Sequence, residues 1–201
     1  MFSSLSTLYI HLLGCIYSEY IGIGSLVGIV SARCTSPNAR GFKQCTVRNF
    51  RRVFAHPSSP NLRRGWPFAD HETREYAGLS VEAAEGSEFN AAAFQVPMDE
   101  LGNIIGREGM YDLTWAEFID SNAESHQGLI CAKFHNDAAY KQMLGSDELF
   151  HEKYGQYGIE HVWDRELVGS IWPSRPYLRH VVLAMRNLGG QVAIAPTTML
   201  N

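Results

Sequence analysis

A strict alternation of residue types at positions 77–83 is the sequence feature that most constrains the fold. Apolar residues occupy every second position, and small or acidic residues lie between them: Ala77, Gly78, Leu79, Ser80, Val81, Glu82 and Ala83. A period of two is typical of a strand with one buried face. Glu85-Gly86-Ser87 then predicts a turn, and residues 90–96 form a returning strand that Pro97 ends. We therefore predict a β-hairpin over this segment.

Strand-like segments dominate the first two thirds of the chain, and helical patterns follow. Further strands are predicted at 19–23, 46–54, 110–119 and 128–134, with a polar loop at 121–127. Residues 56–73 contain three prolines and a glycine, which indicate a long surface excursion. A short helix capped by Asp99 and ended by Gly109 precedes the last two strands.

From residue 136 onward the pattern becomes helical and aromatic, interrupted by Gly155 and Gly158. The last strong helix begins near Pro176, and Gly189 closes it. Its apolar face is formed by Tyr177, Leu178, Val181, Val182, Met185 and Leu188. Strands first and helices last predict a single α+β domain, in which a closed sheet of mainly antiparallel strands is flanked by helices.

Size and charge narrow the classes of partner. A chain of 201 residues that is 45% hydrophobic can bury the core of one full domain. The net charge of −4 gives no reason to expect a nucleic acid or an anionic membrane as a partner. The local cluster Arg48, Arg51 and Arg52 is interpreted as one face of a strand.

The cysteines and the amino terminus favour a cytoplasmic protein. Cys15, Cys34, Cys45 and Cys131 contain no C-x-x-C pair, so we expect reduced thiols rather than a zinc site or a disulfide framework. Residues 1–18 are apolar, but no basic residue precedes Arg33, as a secretory signal requires. We divide the chain into an extension, 1–18, and a domain, 19–201. Targeting by the apolar amino terminus is the alternative.

Residues 19–26 predict a short strand that ends abruptly in a Gly-Ser loop. The segment reads Glu-Tyr-Ile-Gly-Ile-Gly-Ser-Leu. Such a loop can present several backbone N–H groups in one concavity, where a carboxylate or oxyanion binds. A plain tight turn is the alternative.

Glu108 is the strongest candidate for acid–base chemistry. It falls in the last turn of the predicted short helix, where the helix dipole disfavours a carboxylate. Burial beside the helix's apolar stripe would raise its pKa further. A Glu with a raised pKa suits general acid–base work near neutral pH. The alternative is a solvated helix end beside Arg107.

Other candidate residues are interpreted structurally. Ser25 does not lie in a Gly-x-Ser-x-Gly sequence, so its neighbourhood offers backbone donors rather than an activated hydroxyl. The eight histidines show no metal-ligand spacing, and no metal is expected. Trp163, Trp172 and Tyr177 are assigned to the core.

Five short motifs, in order, resemble those of gamma-glutamylcyclotransferase-like proteins of the bacterial and algal type. They span residues 19–188 and are Ile23-Gly24-Ser25-Leu26, Arg51-Arg52-Val53-Phe54, the strand 78–85 with Glu85-Gly86-Ser87, Arg107-Glu108-Gly109-Met110-Tyr111, and Pro176-Tyr177-Leu178-Arg179. The resemblance implies a compact β-barrel with helices packed around it. It also implies an enzyme of glutathione metabolism, a transferase or lyase that releases 5-oxoproline from a small gamma-glutamyl substrate without a cofactor.

The resemblance assigns roles to individual residues. Glu108 would be the acid–base residue. The residues implied to bind substrate are Ile23, Gly24, Ser25, Leu26, Tyr111 and Tyr177. One departure is Ile23, because the family's loop usually has Tyr there, and its hydroxyl is lost. A pocket that binds without turnover is therefore the alternative to an enzyme, and a serine hydrolase using Ser25 is a third hypothesis. The sequence gives no indication of the oligomeric state.

Overall fold

The computed structural model describes residues 16–164 and 170–187. The strands, in chain order, are β1 (Tyr17–Gly22), β2 (Arg40–Pro57), β3 (Ala77–Pro97), β4 (Asp112–Asp120) and β5 (Ser125–Ala132). The helices are α1 (Ile29–Arg33), α2 (Ser59–Arg64), α3 (Leu101–Arg107), α4 (Asp137–Leu144), α5 (Asp147–Lys153) and α6 (Arg175–Asn187). Two short 3₁₀ turns lie at Ser25–Val27 and Gly155–Tyr157.

The five strands close into a barrel in the order β1-β3-β2-β4-β5. The pairs along this order are antiparallel. The barrel is closed by parallel pairing of β5 with β1, where Tyr20 faces Leu129, and with β3, where Val81 faces Ala132. The expected closed barrel of mainly antiparallel strands, flanked by helices, is confirmed.

The predicted hairpin at 77–97 is wrong. β3 runs through the whole segment and pairs with β2 from Ala77 opposite Pro57 to Gln95 opposite Arg40. Residues 84–87 bulge out of this ladder opposite Asn49, and the Gly86 N–H donates to Asn49 Oδ1 at 3.1 Å. Gly86 and Asn49 both have left-handed backbone, with φ of 73° and 59°. The glycine bends β3 rather than reversing it, because β2 is long enough to pair on both sides of the bulge.

The segment 56–73 is less exposed than the prolines suggested. His56 and Pro57 complete β2, and α2 follows with Ser58 at its N-cap, whose hydroxyl accepts from Asn61 N–H. Leu62 is buried and packs under the helices. The proline at position 60 lies in the first turn of α2, where its missing N–H costs nothing.

The two largest of the apolar clusters lie inside the barrel and under the helices. The barrel interior is filled by Tyr20, Ile21, Phe94, Phe118, Leu129 and Ile130, among others. A second cluster, centred on Trp163, Tyr140 and Tyr154, packs under the helices after β5. Trp163 is therefore a core residue as expected, whereas Trp172 is 38% exposed, contrary to the prediction.

The structure tests two further predictions, which concern the start of α3 and the extent of α6. Glu100, not Asp99, lies at the N-cap of α3; its carboxylate makes no cap bond and instead accepts from the side chains of Ser36 and Asn38. α6 begins where expected and buries Val181 and Met185, while Leu188 and Gly189 lie outside the described residues.

Three of the four cysteines lie in the part of the chain that the structure describes. Cys34, Cys45 and Cys131 are free, and Cys15 lies outside the described residues. Among residues 16–164 and 170–187, no helix is both long enough and apolar enough to cross a bilayer.

Candidate active site

The chain turns sharply where β1 ends. Gly22 ends the strand, and the 3₁₀ turn that follows is held by Val27 N–H donating to the Gly24 carbonyl at 3.1 Å. A Cβ atom at Gly22 would lie 2.6 Å from the backbone oxygen of Leu26. The returning loop therefore approaches β1 so closely that a glycine is required. This fixes the segment 23–26 against the end of the barrel.

A buried arginine holds the same loop. The Arg52 side chain is 1% exposed and donates from Nε to the Ile23 carbonyl at 3.0 Å and from Nη2 to the Asn90 carbonyl at 2.5 Å. Its guanidinium also lies over the Phe89 ring, 4.3 Å from the centroid. Burial lowers the pKa of Arg52 to about 10. Two backbone carbonyls from different segments are thus tied to one rigid, multi-donor group.

The position of Arg52 corrects the interpretation of the arginine cluster. Arg48 and Arg51 are exposed, whereas Arg52 points into the protein. The bulge at Asn49 breaks the simple alternation of faces in β2. A cluster that looked like one polar strand face therefore contains a buried structural residue.

Glu108 follows α3 directly, as expected from the sequence. Its backbone N–H donates to the Ile104 carbonyl at 2.9 Å, so the last helical hydrogen bond fixes its backbone. Oε1 lies 3.1 Å from Arg107 Nε, and Oε2 accepts from Cys131 Sγ at 3.6 Å. Only 13% of the side chain is exposed. Desolvation raises the pKa of Glu108 above its ordinary value, and the Arg107 charge opposes this only in part.

The loop and Glu108 line one small cavity. Its walls are Tyr20, Ile23, Gly24, Ser25, Leu26, Leu79, Glu108, Tyr111, Cys131 and Tyr177. The cavity has a volume of about 40 Å³. All seven residues singled out in the sequence, Glu108, Ile23, Gly24, Ser25, Leu26, Tyr111 and Tyr177, are among these walls. Their grouping was expected; their roles in binding or catalysis stay proposals.

Tyr111 and Tyr177 reach the cavity from different elements. Tyr177 lies on α6, and its hydroxyl accepts from Leu79 N–H at 3.3 Å. Burial raises the pKa of Tyr177 to about 12 and that of Tyr111 well above its usual range. Both phenols are therefore neutral hydrogen-bonding groups at physiological pH. Tyr177, which the sequence assigned to the core, is a wall of the cavity.

Three wall residues were missed by sequence reasoning. Tyr20 and Cys131 meet because β1 and β5 pair in parallel at the closure of the barrel, and Leu79 lies on β3. Tyr20 could have been suspected from its place just before the loop. Cys131 carried no local signal, because parallel pairing between distant strands leaves no mark in the sequence around it.

In the part of the chain that the structure describes, no base is hydrogen-bonded to Ser25 Oγ. Its Oγ accepts from Arg107 Nη2 at 3.1 Å, and the same guanidinium donates to the Ser31 carbonyl at 3.1 Å. Among the described residues that form the cavity walls there is no histidine. Arg107 therefore connects the loop and α1 to the end of α3. The Ser25 hydroxyl is held as a hydrogen-bond acceptor rather than activated as a nucleophile.

Two groups of acids and histidines lie elsewhere, and neither lines the cavity. They are Asp120, Glu124 and His126, and Asp137, His161 and Asp164. In the first group, Asp120 accepts from Asn122 N–H at 2.9 Å and lies 3.4 Å from Lys43 Nζ. In the second, Asp137 Oδ1 accepts from the N–H groups of Val162 and Trp163. Asp120 thus stabilises the turn between β4 and β5, and Asp137 holds residues 162–163 to the start of α4.

Comparison with known proteins identifies the fold. No family model matches the sequence, and no curated protein shows significant similarity to it. A gamma-glutamyl cyclotransferase specific to glutathione from yeast has a similar structure, with a TM-score of 0.52 and 11% identity, over 92% of this chain and 91% of that one.

Two other solved structures are less similar. A gamma-glutamyl cyclotransferase has a TM-score of 0.45 and 12% identity, over 82% of this chain and 98% of that one. A human protein has a TM-score of 0.47 and 12% identity, over 83% and 99%. At these identities the similarity to the yeast structure concerns the fold alone. The resemblance inferred from the motifs is confirmed at that level, and the chain has a gamma-glutamyl cyclotransferase-like fold.

Proposed function

We propose that this protein is a gamma-glutamylcyclotransferase-like enzyme that releases 5-oxoproline from a gamma-glutamyl peptide, amine or related amide. One observation carries the proposal: the buried Glu108 carboxylate, with its raised pKa, faces the Gly24–Ser25–Leu26 loop across one cavity. The likeness to the yeast glutathione-specific enzyme supports the same reaction class. The reaction requires no metal or organic cofactor, and the partner is a small molecule rather than a nucleic acid or a membrane.

The reaction consists of proton transfers through Glu108 around one ring closure. Glu108 takes a proton from the substrate's α-ammonium group. The freed amine attacks the γ-carbonyl carbon, and backbone N–H groups of the loop stabilise the oxyanion that forms. Protonated Glu108 gives its proton to the leaving nitrogen as the bond from the γ-carbon to that nitrogen breaks, and the regenerated carboxylate takes the second proton from the ring nitrogen and passes it to the released amine. The products are 5-oxoproline and the amine in its ammonium form.

The environment of Glu108 suits both the uptake and the release of a proton. Burial raises its pKa toward the range where one group can accept and return a proton near neutrality. Arg107, 3.1 Å away, keeps the ionised form accessible. Because ring closure is intramolecular, the remaining requirement is a fixed substrate conformation, which a narrow cavity with three tyrosine walls can impose.

The cavity is too small to admit the proposed substrate without a change in its surroundings. About 40 Å³ is far below the roughly 300 Å³ of ordinary ligand sites. A glutamyl group therefore enters only when side chains at or beside these walls move outward. Arg107 is the natural candidate, because it is exposed and contacts two wall residues, Ser25 and Glu108, without being a wall itself.

A binding protein without turnover is the second candidate, and Ile23 favours it. The related loops carry Tyr there, whereas Ile23 offers no hydroxyl to the cavity. Tyr20, Tyr111 and Tyr177 do present hydroxyl-bearing side chains to the same cavity. The two candidates differ in one observable, which is whether bound substrate is consumed.

The deciding experiment measures 5-oxoproline released from glutathione, gamma-glutamyl dipeptides and gamma-glutamylamines. We expect release from at least one of them and a loss of about 10²–10⁴ in rate for Glu108→Gln. Glu72→Gln, at an exposed position, is the matched control and should retain full rate. Full activity of Glu108→Gln would overturn the mechanism.

Two further outcomes separate the alternatives. Calorimetric binding of a gamma-glutamyl compound without 5-oxoproline release would identify the non-catalytic binder. Ser25→Ala should cost little if the loop acts through its backbone. Complete inactivation by Ser25→Ala, together with a covalent adduct on Ser25 in the mass spectrum, would instead identify a serine nucleophile.

A further inference from the structure

A buried series of hydrogen bonds ends on the Glu108 carboxylate. Tyr20 Oη lies 2.9 Å from Cys131 Sγ, and Cys131 Sγ donates to Glu108 Oε2 at 3.6 Å. Tyr20 is 1% exposed and Cys131 is 3% exposed. In the mechanism above, Cys131 has no role and Tyr20 serves only as a wall, although both line the cavity.

The direction of the series follows from the chemistry of its end. An ionised carboxylate can only accept, so the single S–H proton of Cys131 is directed to Glu108. The sulfur then has only lone pairs for Tyr20, which donates its O–H to them. Burial raises the pKa of Cys131 well above its usual range, so this residue is a neutral thiol donor rather than a thiolate nucleophile.

The two oxygens of Glu108 therefore have partners of different kinds. Oε1 faces the Arg107 cation at the exposed rim, and Oε2 faces a neutral donor inside the barrel. The other titratable groups around the carboxyl are Tyr20, Tyr111 and Tyr177, all of which are neutral phenols with raised pKa. The rim cation can move with solvent or substrate, whereas the thiol is fixed by β5, where Cys131 pairs with Leu113 of β4.

We propose that Cys131 is a positioning residue, which holds the Glu108 carboxylate in its reactive orientation through the S–H···Oε2 hydrogen bond and is itself oriented by Tyr20. The expected effect of Cys131 on catalysis rests on the proposed function. The bond favours the ionised form of Glu108, because a hydrogen bond to a charged carboxylate oxygen is stronger than one to a neutral carboxyl group. Glu108 thereby stays available as a base even when Arg107 swings away.

The test compares Cys131→Ala with Cys45→Ala. Cys45 is equally buried in the barrel core, at 2% exposure, but does not line the cavity. Both variants lose the same atoms from the core, so a purely structural role would affect stability alike and leave the titration of Glu108 unchanged. The direct readout is the pH titration of the side-chain carboxyl of Glu108, followed by ¹³C NMR in the full chain without substrate.

We expect Glu108 to titrate at higher pH in Cys131→Ala and at the unchanged pH in Cys45→Ala. Cys131→Ser, which keeps a donor, should restore the wild-type titration. In 5-oxoproline release, the acid limb of kcat/KM should move to higher pH, and activity on that limb should fall on the order of threefold more than on the plateau. KM should change less than kcat.

Identical Glu108 titration in the two alanine variants would overturn the proposal. If Cys131→Ala does not fold, Tyr20→Phe probes the same series from its far end: the Glu108 titration should move in the same direction but less, and no movement would overturn the proposal. The NMR titration needs no turnover. A protein that releases no 5-oxoproline but shows the shift would reject the proposed function and retain the role of Cys131.

Discussion

Arg52 and Ile23 are 29 positions apart in the chain, yet the Arg52 Nε–H donates to the Ile23 carbonyl oxygen at 3.0 Å in the interior. This bond ties β2 to the first residue of the loop that faces Glu108. The loop's shape therefore depends on a charged group that never enters the cavity, since Arg52 is not among the cavity walls.

Replacing Arg52 should disturb the loop before it disturbs the barrel. Arg52→Met removes the donors to the Ile23 and Asn90 carbonyls. We expect a loss of roughly 2–3 kcal/mol in the free energy of unfolding, because two buried backbone carbonyls lose their charged donor. Removal of the buried charge itself offsets part of this loss. Urea denaturation measures this. Arg51→Met, at an exposed ion pair with Glu82, should change stability by less than about 1 kcal/mol.

Gly22→Ala should distort the loop for a steric reason. The new methyl would lie 2.6 Å from the Leu26 carbonyl oxygen, which is a backbone atom and cannot swing aside. We expect a stability loss of about 1–3 kcal/mol and a loss of substrate binding, measured by thermal unfolding and calorimetry. Gly102→Ala is the control: it lies in α3 with nothing within 4 Å of its added Cβ, and it should stabilise by about 0.5–1 kcal/mol.

Glu108 should cost the protein stability at neutral pH. Its pKa is raised in the folded state by burial, so the folded protein binds this proton more tightly than the unfolded chain does. Below the ordinary pKa of a glutamate, Glu108 is protonated in both the folded protein and the unfolded chain, so its titration does not change the free energy of unfolding. As the pH rises through the folded pKa, ionisation favours unfolding, and stability falls.

The comparison of Glu108→Gln with wild type measures this cost. The stability advantage of the Gln variant should be small near about pH 4 and should grow toward about pH 8. Urea denaturation across that range is the measurement. Glu72→Gln should show no such trend. An advantage that is constant with pH would mean that Glu108 ionises as easily in the folded protein as in the unfolded chain.

Tyr177→Phe should affect binding and stability together. The change removes the hydroxyl that accepts from Leu79 N–H at 3.3 Å and that reaches the cavity wall. We expect a loss of about 1–2 kcal/mol in stability, because a backbone donor loses its partner. A severalfold rise in KM for 5-oxoproline release should accompany it. Tyr157→Phe, at a tyrosine outside the cavity walls, should leave KM unchanged.

Local signals predicted two parts of the candidate site from the sequence. The Gly-Ser loop after β1 and the position of Glu108 at the end of α3 follow from glycine placement and apolar spacing over a few residues. Physical chemistry then predicted the direction in which burial moves the pKa of Glu108, and the structure agrees.

Long-range pairing accounts for what the sequence could not predict. Gly86 looked like a turn, but β2 extends beyond it and pairs with β3 on both sides. Arg52 looked like an exposed strand residue, but the irregular pairing of Asn49 with residues 84–87 shifts the alternation of β2 and places Arg52 inward. Tyr20 and Cys131 become neighbours only through the parallel pairing of β1 with β5. In each case the partner strand, rather than the local sequence, decides the outcome.

The parallel seam between β1 and β5 makes the site depend on the closure of the whole barrel. It joins Tyr20 to Leu129 across more than a hundred residues of chain. The neighbourhood of Tyr20, Cys131 and Glu108 therefore exists only when this long-range pairing is made, because no local segment brings the three side chains together. A measurement of chemistry at this site is thus also a measurement of whether the barrel is closed.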